Sequence, residues 1–344
     1  MVNDERLLKV LEQVVNLYIK TGEPVGSVSV CNSLKKNVSS ATVRSDMVKL
    51  EKLGLLNQPH VSAGRIPTYD GFRIYIKRVM KPEPVRFKEQ EDIDSMLRKD
   101  KSSVSAVINN ALVALSDLTN LTTVSTAMNS SFSVISKVEV ISTGRRVYVI
   151  LIVTSTGEVK NKICRVEFDF TESQLNMLKK ILNESLIGSK VDLLSTDVML
   201  NLSAAIGGYF LSFSPLFKAL REISDEMSRN RVVLKGENRL MAYEGVEATE
   251  ILNFLSAKDN IEKILSGAFS GINIVFGKES DFFQIGNSSL IITKYRNRLR
   301  ELGSFGVIGP VRLDYKKVMS YVEYFERSVS EIINDMELED ELED

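Results

Sequence analysis

The chain has 344 residues, of which 44% are apolar and 26% charged, and its formal net charge is −1. This length allows two or three domains with separate cores, and the composition is typical of a globular protein rather than a disordered one. The most apolar stretch, 204–217, is interrupted by glycines, serines and a proline, so no membrane span is predicted. Residues 1–5 lack the features of a signal peptide, and Cys31 and Cys164 do not indicate a disulfide framework. We therefore expect a cytoplasmic protein with reduced cysteines.

Charge is distributed unevenly along the chain. Residues 1–81 contain 13 lysines and arginines against 7 acidic residues, a net charge of +6, and the remainder has a net charge of −7. A basic end joined to an acidic body indicates that the N-terminal part contacts a polyanion. Chance variation of surface charge is the alternative explanation.

The N-terminal segment has the pattern of three short helices. Asn3 is placed to cap the first helix, which ends where glycine and proline occur in the stretch 21–24. Ser27 is placed to cap a second helix, and Ser39 or Ser40 a third. The third helix is predicted to pack against the first two.

The third helix, which is predicted to end at Gly54, has two different faces. Val43, Met47 and Leu50 fall together on a helical wheel and form its predicted buried face. The opposite face carries the small and basic side chains that a helix needs to read base edges in a major groove: Ala41, Ser45, Val48 and Lys52, flanked by Thr42, Arg44 and Lys49. A solvated helix face is the alternative.

A basic hairpin, or wing, is predicted directly after this helix. Residues 55–58 pair with residues 65–67 across a turn. The turn contains small residues: Ser62, Ala63 and Gly64. The predicted tip carries Arg65 and His60, which suit contacts to phosphate or to the minor groove. For His60, a plain turn residue is the alternative.

A further amphipathic helix, capped by Thr68, is predicted after the wing. Arg73, Lys77 and Lys81 lie together on one of its faces. They are predicted either to contact phosphates or to form a solvated edge.

Four segments of this module resemble the HrcA family of heat-inducible transcription repressors: GEPVGS at 22–27, SSATVR at 39–44, LEKLG at 50–54 and QPHVSAGRIPT at 58–68. These uncommon sequence motifs occur in the same order as in the family. The chain departs from the family at Ser45, where the family commonly has asparagine. Any base contact at this position is therefore made by a serine in this chain and not by the family's asparagine.

The body of the chain alternates strand and helix patterns, which predicts an α+β multidomain protein. The predicted strands are 134–141, 146–154, 160–168, 271–276, 289–293 and 303–307. The predicted helices are most of 89–127, then 197–210, 215–228 and 248–266, one capped by Thr171, and a last one capped by Asp314, with a possible hairpin about Gly236. The Ser/Thr-rich stretch 119–136 is predicted to link the first of these helices to a sheet. The last helix is predicted to pack on its own sheet, with a partner-facing role as the alternative, and the acidic end 336–344 to be a frayed tail.

The resemblance extends to segments 159–163 and 306–315 and implies the family's three-part plan. We expect an N-terminal winged helix-turn-helix over residues 1–85 and a GAF-like α/β sheet domain with a helical linker. The GAF-like domain is assigned to 86–195 and 268–344, and a small inserted dimerising domain to 196–267.

The same resemblance implies a repressor that binds the inverted-repeat CIRCE operator of chaperone operons, such as those for GroEL and DnaK, as a homodimer. It also implies that the GroEL chaperonin maintains the active form and that heat stress removes it. The residues assigned to double-stranded DNA are Ser39, Ser40, Ala41, Thr42, Arg44, Ser45, Val48, Lys49, Gln58, His60, Ser62, Ala63, Gly64 and Arg65.

The sequence contains no pattern for an enzyme, a cofactor or a metal. His60 is the only histidine, which argues against Ser-His-Asp and Cys-His mechanisms, and the glycine-rich loops that bind nucleotides do not occur. The main alternative is a winged-helix regulator that senses a small molecule in the GAF-like domain. A buried pocket with convergent polar groups favours that alternative, and a packed core counts against it. An enzyme is the more distant alternative.

Overall fold

The structure is a computed structural model. It describes the following parts of the chain: 4–34, 38–127, 134–155, 157–190, 210–228, 232–243 and 246–343. Within these residues, no helix combines the length and the apolar composition that are needed to cross a bilayer. The predicted α+β multidomain class is confirmed.

The N-terminal residues form the predicted winged helix-turn-helix. Its elements are α1 (Glu5–Thr21), α2 (Ser27–Ser33), α3 (Ser40–Lys52), β1 (Leu56–Asn57), β2 (Ile66–Pro67) and α4 (Tyr69–Ile74), followed by a π-helical turn at Tyr75–Val79. Val14, Val43 and Leu50 are fully buried where α1 and α3 meet, which is the packing that the helical periodicity predicts. Burial raises the pKa of Tyr75 to about 12, so its hydroxyl stays protonated and donates to Asn16 Oδ1 at 2.8 Å.

The helix caps differ in part from the predicted ones. Asp4, rather than Asn3, caps α1, and its carboxylate accepts hydrogen bonds from the first turn. Ser27 is the first residue of α2, and Gly26 occupies the cap position. Ser39 caps α3, as one of the two predicted alternatives. Each helix therefore begins within a residue of its predicted start.

Five antiparallel strands of the described body form a sheet, the large sheet. Their order is β7-β3-β10-β9-β8, with β3 (Thr122–Ala127), β7 (Val232–Lys235), β8 (Asn273–Phe276), β9 (Ser288–Arg296) and β10 (Glu301–Pro310). The helices that belong to it are α5 (Phe87–Leu97), α6 (Val104–Thr119), α9 (Glu237–Leu240), α10 (Ala248–Ser256), α11 (Lys258–Ser266) and α12 (Tyr315–Glu343). Alternate residues of β9 face α6 and α12 on one side and α10 and α11 on the other, so the sheet lies between two helical layers.

A central strand of the large sheet was not predicted. The segment 89–127 is predicted to be mostly helical, but its last part is β3, which pairs with both β10 and β7. Two of its buried hydroxyl groups bond to carbonyl oxygens of other elements, with Thr123 Oγ1 donating to Leu112 O at 2.8 Å and Ser125 Oγ to Ser304 O at 2.9 Å. These partners allow a Ser/Thr-rich segment to be buried in a sheet.

A second unit, the small-sheet unit, has a separate core. In the described residues it consists of β4 (Ile135–Gly144), β5 (Val147–Thr154) and β6 (Val159–Arg165), which pair antiparallel, with α7 (Glu172–Leu186) and α8 (Phe210–Ser228) against one face. The apolar side chains of that face and of the two helices form one buried cluster.

The limits predicted for the inserted domain, 196–267, disagree with this packing. Strand β7 belongs to the large sheet because it pairs with β3, with Leu234 opposite Val124. Helices α10 and α11 also pack on the large sheet. The separately packed unit instead includes β4 to α7, which were assigned to the GAF-like domain. The insertion therefore begins after β3 and ends before β7.

Four further predictions concern helices. The predicted helix 248–266 is divided at Ala257 into α10 and α11. The acidic segment after Met336, predicted to fray, continues α12 as far as Glu343. Val322 and Phe325 of α12 are fully buried, which confirms that this helix packs on its own protein. The predicted helix at 197–210 lies outside the described residues except for its last residue.

The winged helix packs directly on the body through aromatic side chains. The rings of Tyr69 and Phe276 are stacked, with centroids 5.0 Å apart and 4° between their planes. Phe72 contacts both Phe276 and Tyr315, at centroid distances of 6.0 and 5.8 Å. The cores of the winged helix and of the large sheet are therefore continuous.

Candidate nucleic-acid interface

Helix α3 presents the face that the sequence predicts. Its buried residues are Val43, Asp46, Met47 and Leu50. The residues on the other side that were assigned to DNA are Ser40, Ala41, Arg44, Ser45 and Lys49, which are exposed, and Thr42 and Val48, which are half-buried. Small exposed residues next to Arg44 allow the helix to approach a base-pair edge closely.

The start of α3 is fixed by a pair of hydroxyl groups. Ser39 Oγ accepts a hydrogen bond from the backbone N–H of Thr42 at 3.1 Å and lies 3.0 Å from Thr42 Oγ1. Both side chains therefore have partners within the protein. Their contribution is to hold the positive N-terminal end of α3 in place, which favours a nearby phosphate.

Asp46 is a residue that positions α3, and the sequence reasoning missed it. Its side chain is 1% exposed and accepts two hydrogen bonds from Arg6, from Nε at 2.7 Å and from Nη2 at 3.0 Å. Lys49 Nζ lies 3.6 Å from the same carboxylate. The hydrogen bond to Asp46 raises the pKa of the Arg6 guanidinium, which stays charged. The ion pair joins α3 to α1. In the sequence, the position of Asp46 next to Met47 of the apolar stripe could have indicated a buried carboxylate.

Replacing Asp46 with asparagine should lower the free energy of unfolding by about 1–2 kcal/mol, because a buried carboxylate with two charged partners is lost. The loss stays modest because Arg6 remains half exposed. Urea unfolding measures it. Glu5→Gln is the control, since Glu5 lies 3.9 Å from Lys9 on the open surface and its removal should cost much less. Equal losses for the two variants would contradict a special role for Asp46.

Hydrogen bonds from the side chain of Gln58 hold the wing loop between β1 and β2. The Nε2 of Gln58 donates to Val61 O at 2.8 Å and to Ala63 O at 3.0 Å. The N–H of Ala63 donates to His60 O at 2.9 Å, which closes the turn. His60, Val61 and Ser62 are exposed at the apex. The amide nitrogen of Gln58 is therefore engaged within the loop.

Arg65 does not lie at the tip, contrary to the sequence prediction. Its backbone pairs with Val25, with N–H to O distances of 2.8 and 2.9 Å. Its side chain is 15% exposed and bonds to Glu51 Oε2, from Nε at 3.0 Å and from Nη2 at 2.9 Å. Gly64 lies so close to Val25 that a Cβ would collide with the Val25 carbonyl. Both residues attach the wing to the rest of the domain.

The basic residues of the next helix separate into two groups. Arg73 forms ion pairs with Asp70 and Glu279 and lies 5.4 Å from the ring centroid of Phe276, so it packs towards the body. Lys77 and Lys81 are exposed. The three side chains therefore do not share one face, contrary to the prediction. Only Lys77 and Lys81 remain candidates for a phosphate contact or a solvated edge.

The large sheet has a packed core. Leu290 and Ile292 face α10 and α11, and Ile291, Tyr295 and Phe305 face the other layer, all of them buried. A cleft of about 600 Å³ between the β9–β10 turn and α12 is open to solvent. This packing counts against the ligand-sensing alternative. Within the same residues, no group of three or more His, Cys, Asp or Glu side chains is placed to hold a metal ion.

Comparisons with known proteins identify the family. Residues 105–319 match the family described as HrcA protein C-terminal domain. The chain is 30% identical to the heat-inducible transcription repressor HrcA of Clostridium botulinum, over 97% of this chain and 99% of that protein. It is 29% identical to the repressor of the same name from Acetivibrio thermocellus, over 96% of each. The chain belongs to the HrcA family.

Membership of the family makes this chain a transcriptional repressor rather than an enzyme, and a repressor implies DNA binding. A crystal structure of a hypothetical protein shares the fold, with a TM-score of 0.62 and 24% identity over 96% of this chain and 99% of that one. The α+β multidomain fold with its N-terminal winged helix is therefore shared with that protein over nearly its whole length.

Proposed function

We propose that the chain represses chaperone operons by binding the CIRCE inverted repeat as a homodimer in the cytoplasm. Two copies of the winged helix read the two half-sites, since the twofold axis of a dimer matches that of an inverted repeat. The observation that supports it most is the exposed face of α3, where Ala41, Arg44 and Ser45 lie opposite a fully buried apolar face.

The DNA-contacting residues fall into two groups in this proposal. Those that touch DNA are residues of α3 and of the wing apex, all of them exposed except the half-buried Val48: Ser40, Ala41, Arg44, Ser45, Val48, Lys49, His60 and Ser62. Those that place these side chains are the residues engaged within the domain: Ser39, Thr42, Gln58, Ala63, Gly64 and Arg65.

Replacing Arg44 with alanine should weaken operator binding and relax the choice of base at one position by about 1–3 kcal/mol, because a guanidinium bonded to a guanine edge is lost. Titrations on operator and scrambled duplexes measure both effects. Lys77→Ala is the matched control for the operator-to-scrambled ratio, which it should leave unchanged, since Lys77 is exposed outside α3 and is placed to contact phosphate at most. If Arg44→Ala leaves the operator-to-scrambled ratio unchanged, Arg44 does not read a base.

An apolar surface on the small-sheet unit supports the homodimer. The face of the small sheet away from α7 and α8 carries rows of paired side chains, with Ile141, Val149 and Ile163 side by side and Val153 next to Val159. Ile163 is 74% exposed. Between the two apolar rows lies Leu151, flanked by Glu139 and Asn161 on the neighbouring strands. Exposed apolar side chains grouped among polar ones in this way mark an interaction site. A second copy of the chain covers this face in the proposed dimer.

The heat response rests on the family resemblance alone. In this proposal the chaperonin GroEL maintains the form that binds DNA, and clients that occupy the chaperonin during heat stress relieve repression. Physically, the switch is an equilibrium between a dimer that holds both winged helices at the operator spacing and forms that do not. If the purified chain binds the operator and melts identically with and without GroEL, this part is contradicted.

One titration tests the central claim. The full chain is titrated onto a CIRCE duplex and onto a scrambled duplex over a range of salt concentrations. We expect preference for CIRCE, and an affinity that falls steeply with salt because lysine and arginine neutralise phosphates. Equal affinity for the two duplexes would contradict the proposed function.

A further inference from the structure

We propose that Val61 is the side chain with which the wing enters the minor groove beside each half-site, and that Gln58 holds Val61 in position. This inference rests on the proposed function and names a DNA contact that the sequence-based set omits. The first observation is exposure, because the side chain of Val61 is 98% exposed. An aliphatic side chain left almost wholly in water at the apex of an ordered loop gains free energy when a partner covers it.

The second observation is the rigidity of the apex. Gln58 Nε2 bonds to the carbonyl oxygens on both sides of Ser62, those of Val61 and Ala63, at 2.8 and 3.0 Å. The base of the loop is fixed by the ion pair between Arg65 and Glu51 of α3. The valine side chain is itself stiff because it branches at Cβ. Ordering the apex on DNA therefore costs little conformational entropy.

The distance along the chain allows this contact. Leu55 is buried directly after α3, and six residues further on is Val61, so the two lie within about 20 Å of each other. The grooves of a duplex follow each other at about half a helical turn, or about 17 Å. The length of the wing therefore permits the apex to lie at the neighbouring minor groove while α3 occupies the major groove.

The chemistry of the apex favours the groove over the phosphates. An aliphatic side chain forms no hydrogen bond to a phosphate, whereas proteins that bind the minor groove frequently insert apolar side chains there. The minor groove of an A·T pair lacks the amino group that a G·C pair places there, so it admits an aliphatic side chain more readily. Val61 therefore reads the shape of the groove rather than a hydrogen-bonding pattern.

The test measures binding of the full chain to the CIRCE duplex, with adenines flanking each half-site replaced one at a time by 2,6-diaminopurine. This base adds an amino group in the minor groove and leaves the major-groove pattern unchanged. Val61→Ala should weaken binding to the unmodified duplex about tenfold without changing the salt slope. Diaminopurine under the wing should weaken the wild-type chain and leave Val61→Ala unaffected.

Val113→Ala on α6 is the matched control and should bind as the wild type does. Gln58→Ala should weaken binding, but should have little further effect when combined with Val61→Ala, because Gln58 acts through Val61. Full affinity of Val61→Ala, or wild-type insensitivity to diaminopurine at every position, overturns the role of Val61. Additive losses in the double variant overturn the role of Gln58. Equal wild-type binding to CIRCE and scrambled duplexes contradicts the proposed function itself and removes this inference with it.

Discussion

Replacing Ile163 with aspartate should convert the dimer into a monomer and weaken operator binding by about a hundredfold or more. Ile163 is exposed in the chain, so the substitution leaves the fold intact, but it places a charge on the proposed dimer surface, next to Val149. A monomer binds one half-site at a time and loses the gain from linking two binding events. The slope of log affinity against log salt should fall by about half, because half of the phosphates are contacted.

Sedimentation gives the mass of the variant, and a salt titration on the CIRCE duplex gives both the affinity and the slope. The matched control is Leu252→Asp, which places the same charge on an exposed leucine of α10, outside the small-sheet unit. The control should remain dimeric and keep its affinity. If Ile163→Asp is dimeric at micromolar concentration, the small sheet is not the dimer surface. If it is monomeric and still binds with full affinity, the two half-sites are not bound together.

The winged helix was predictable because its signals are local. The caps of α3 and α4 and the apolar stripe of α3 depend on residues within a few positions of one another, and the structure has them as predicted. The hairpin of the wing was predictable, but the side-chain contacts that hold its loop, those of Gln58 and Arg65, were not. The ion pair between Arg65 and Glu51 joins residues 14 positions apart, and no periodic pattern encodes it.

The domain limits were not predictable because they depend on long-range pairing. Strand β7 follows the small-sheet unit along the chain, yet it pairs with β3, which precedes that unit. Only this pairing shows where the insertion begins and ends. Strand β3 itself reads as a polar linker, since its serines and threonines become compatible with burial only through carbonyl partners such as Ser304 O, 179 residues from Ser125.

Replacing Phe276 with alanine should have the largest effect on stability, lowering the free energy of unfolding by about 3–5 kcal/mol. Phe276 is fully buried, and its ring contacts Tyr69, Phe72 and the guanidinium of Arg73. The substitution therefore leaves a cavity between the winged helix and the large sheet. We expect the winged helix to lose its fixed orientation as well, so operator affinity should fall with stability.

Urea unfolding measures the loss, and limited proteolysis of the connection at 80–86 reports whether the winged helix has loosened. Phe254→Ala is the matched control, because Phe254 is buried between α10 and the opposite face of the same sheet, at a centroid distance of 5.4 Å from Phe283. Both variants should be destabilised, but only Phe276→Ala should be cleaved faster at 80–86 under native conditions. Cleavage there depends on local opening, which the loss of a contact at that interface promotes and the loss of a remote one does not. Equal cleavage of the two variants would show that the aromatic contact does not fix the winged helix. In that case, the connection at 80–86 and the dimer contacts alone would set the orientation of the winged helix on the operator.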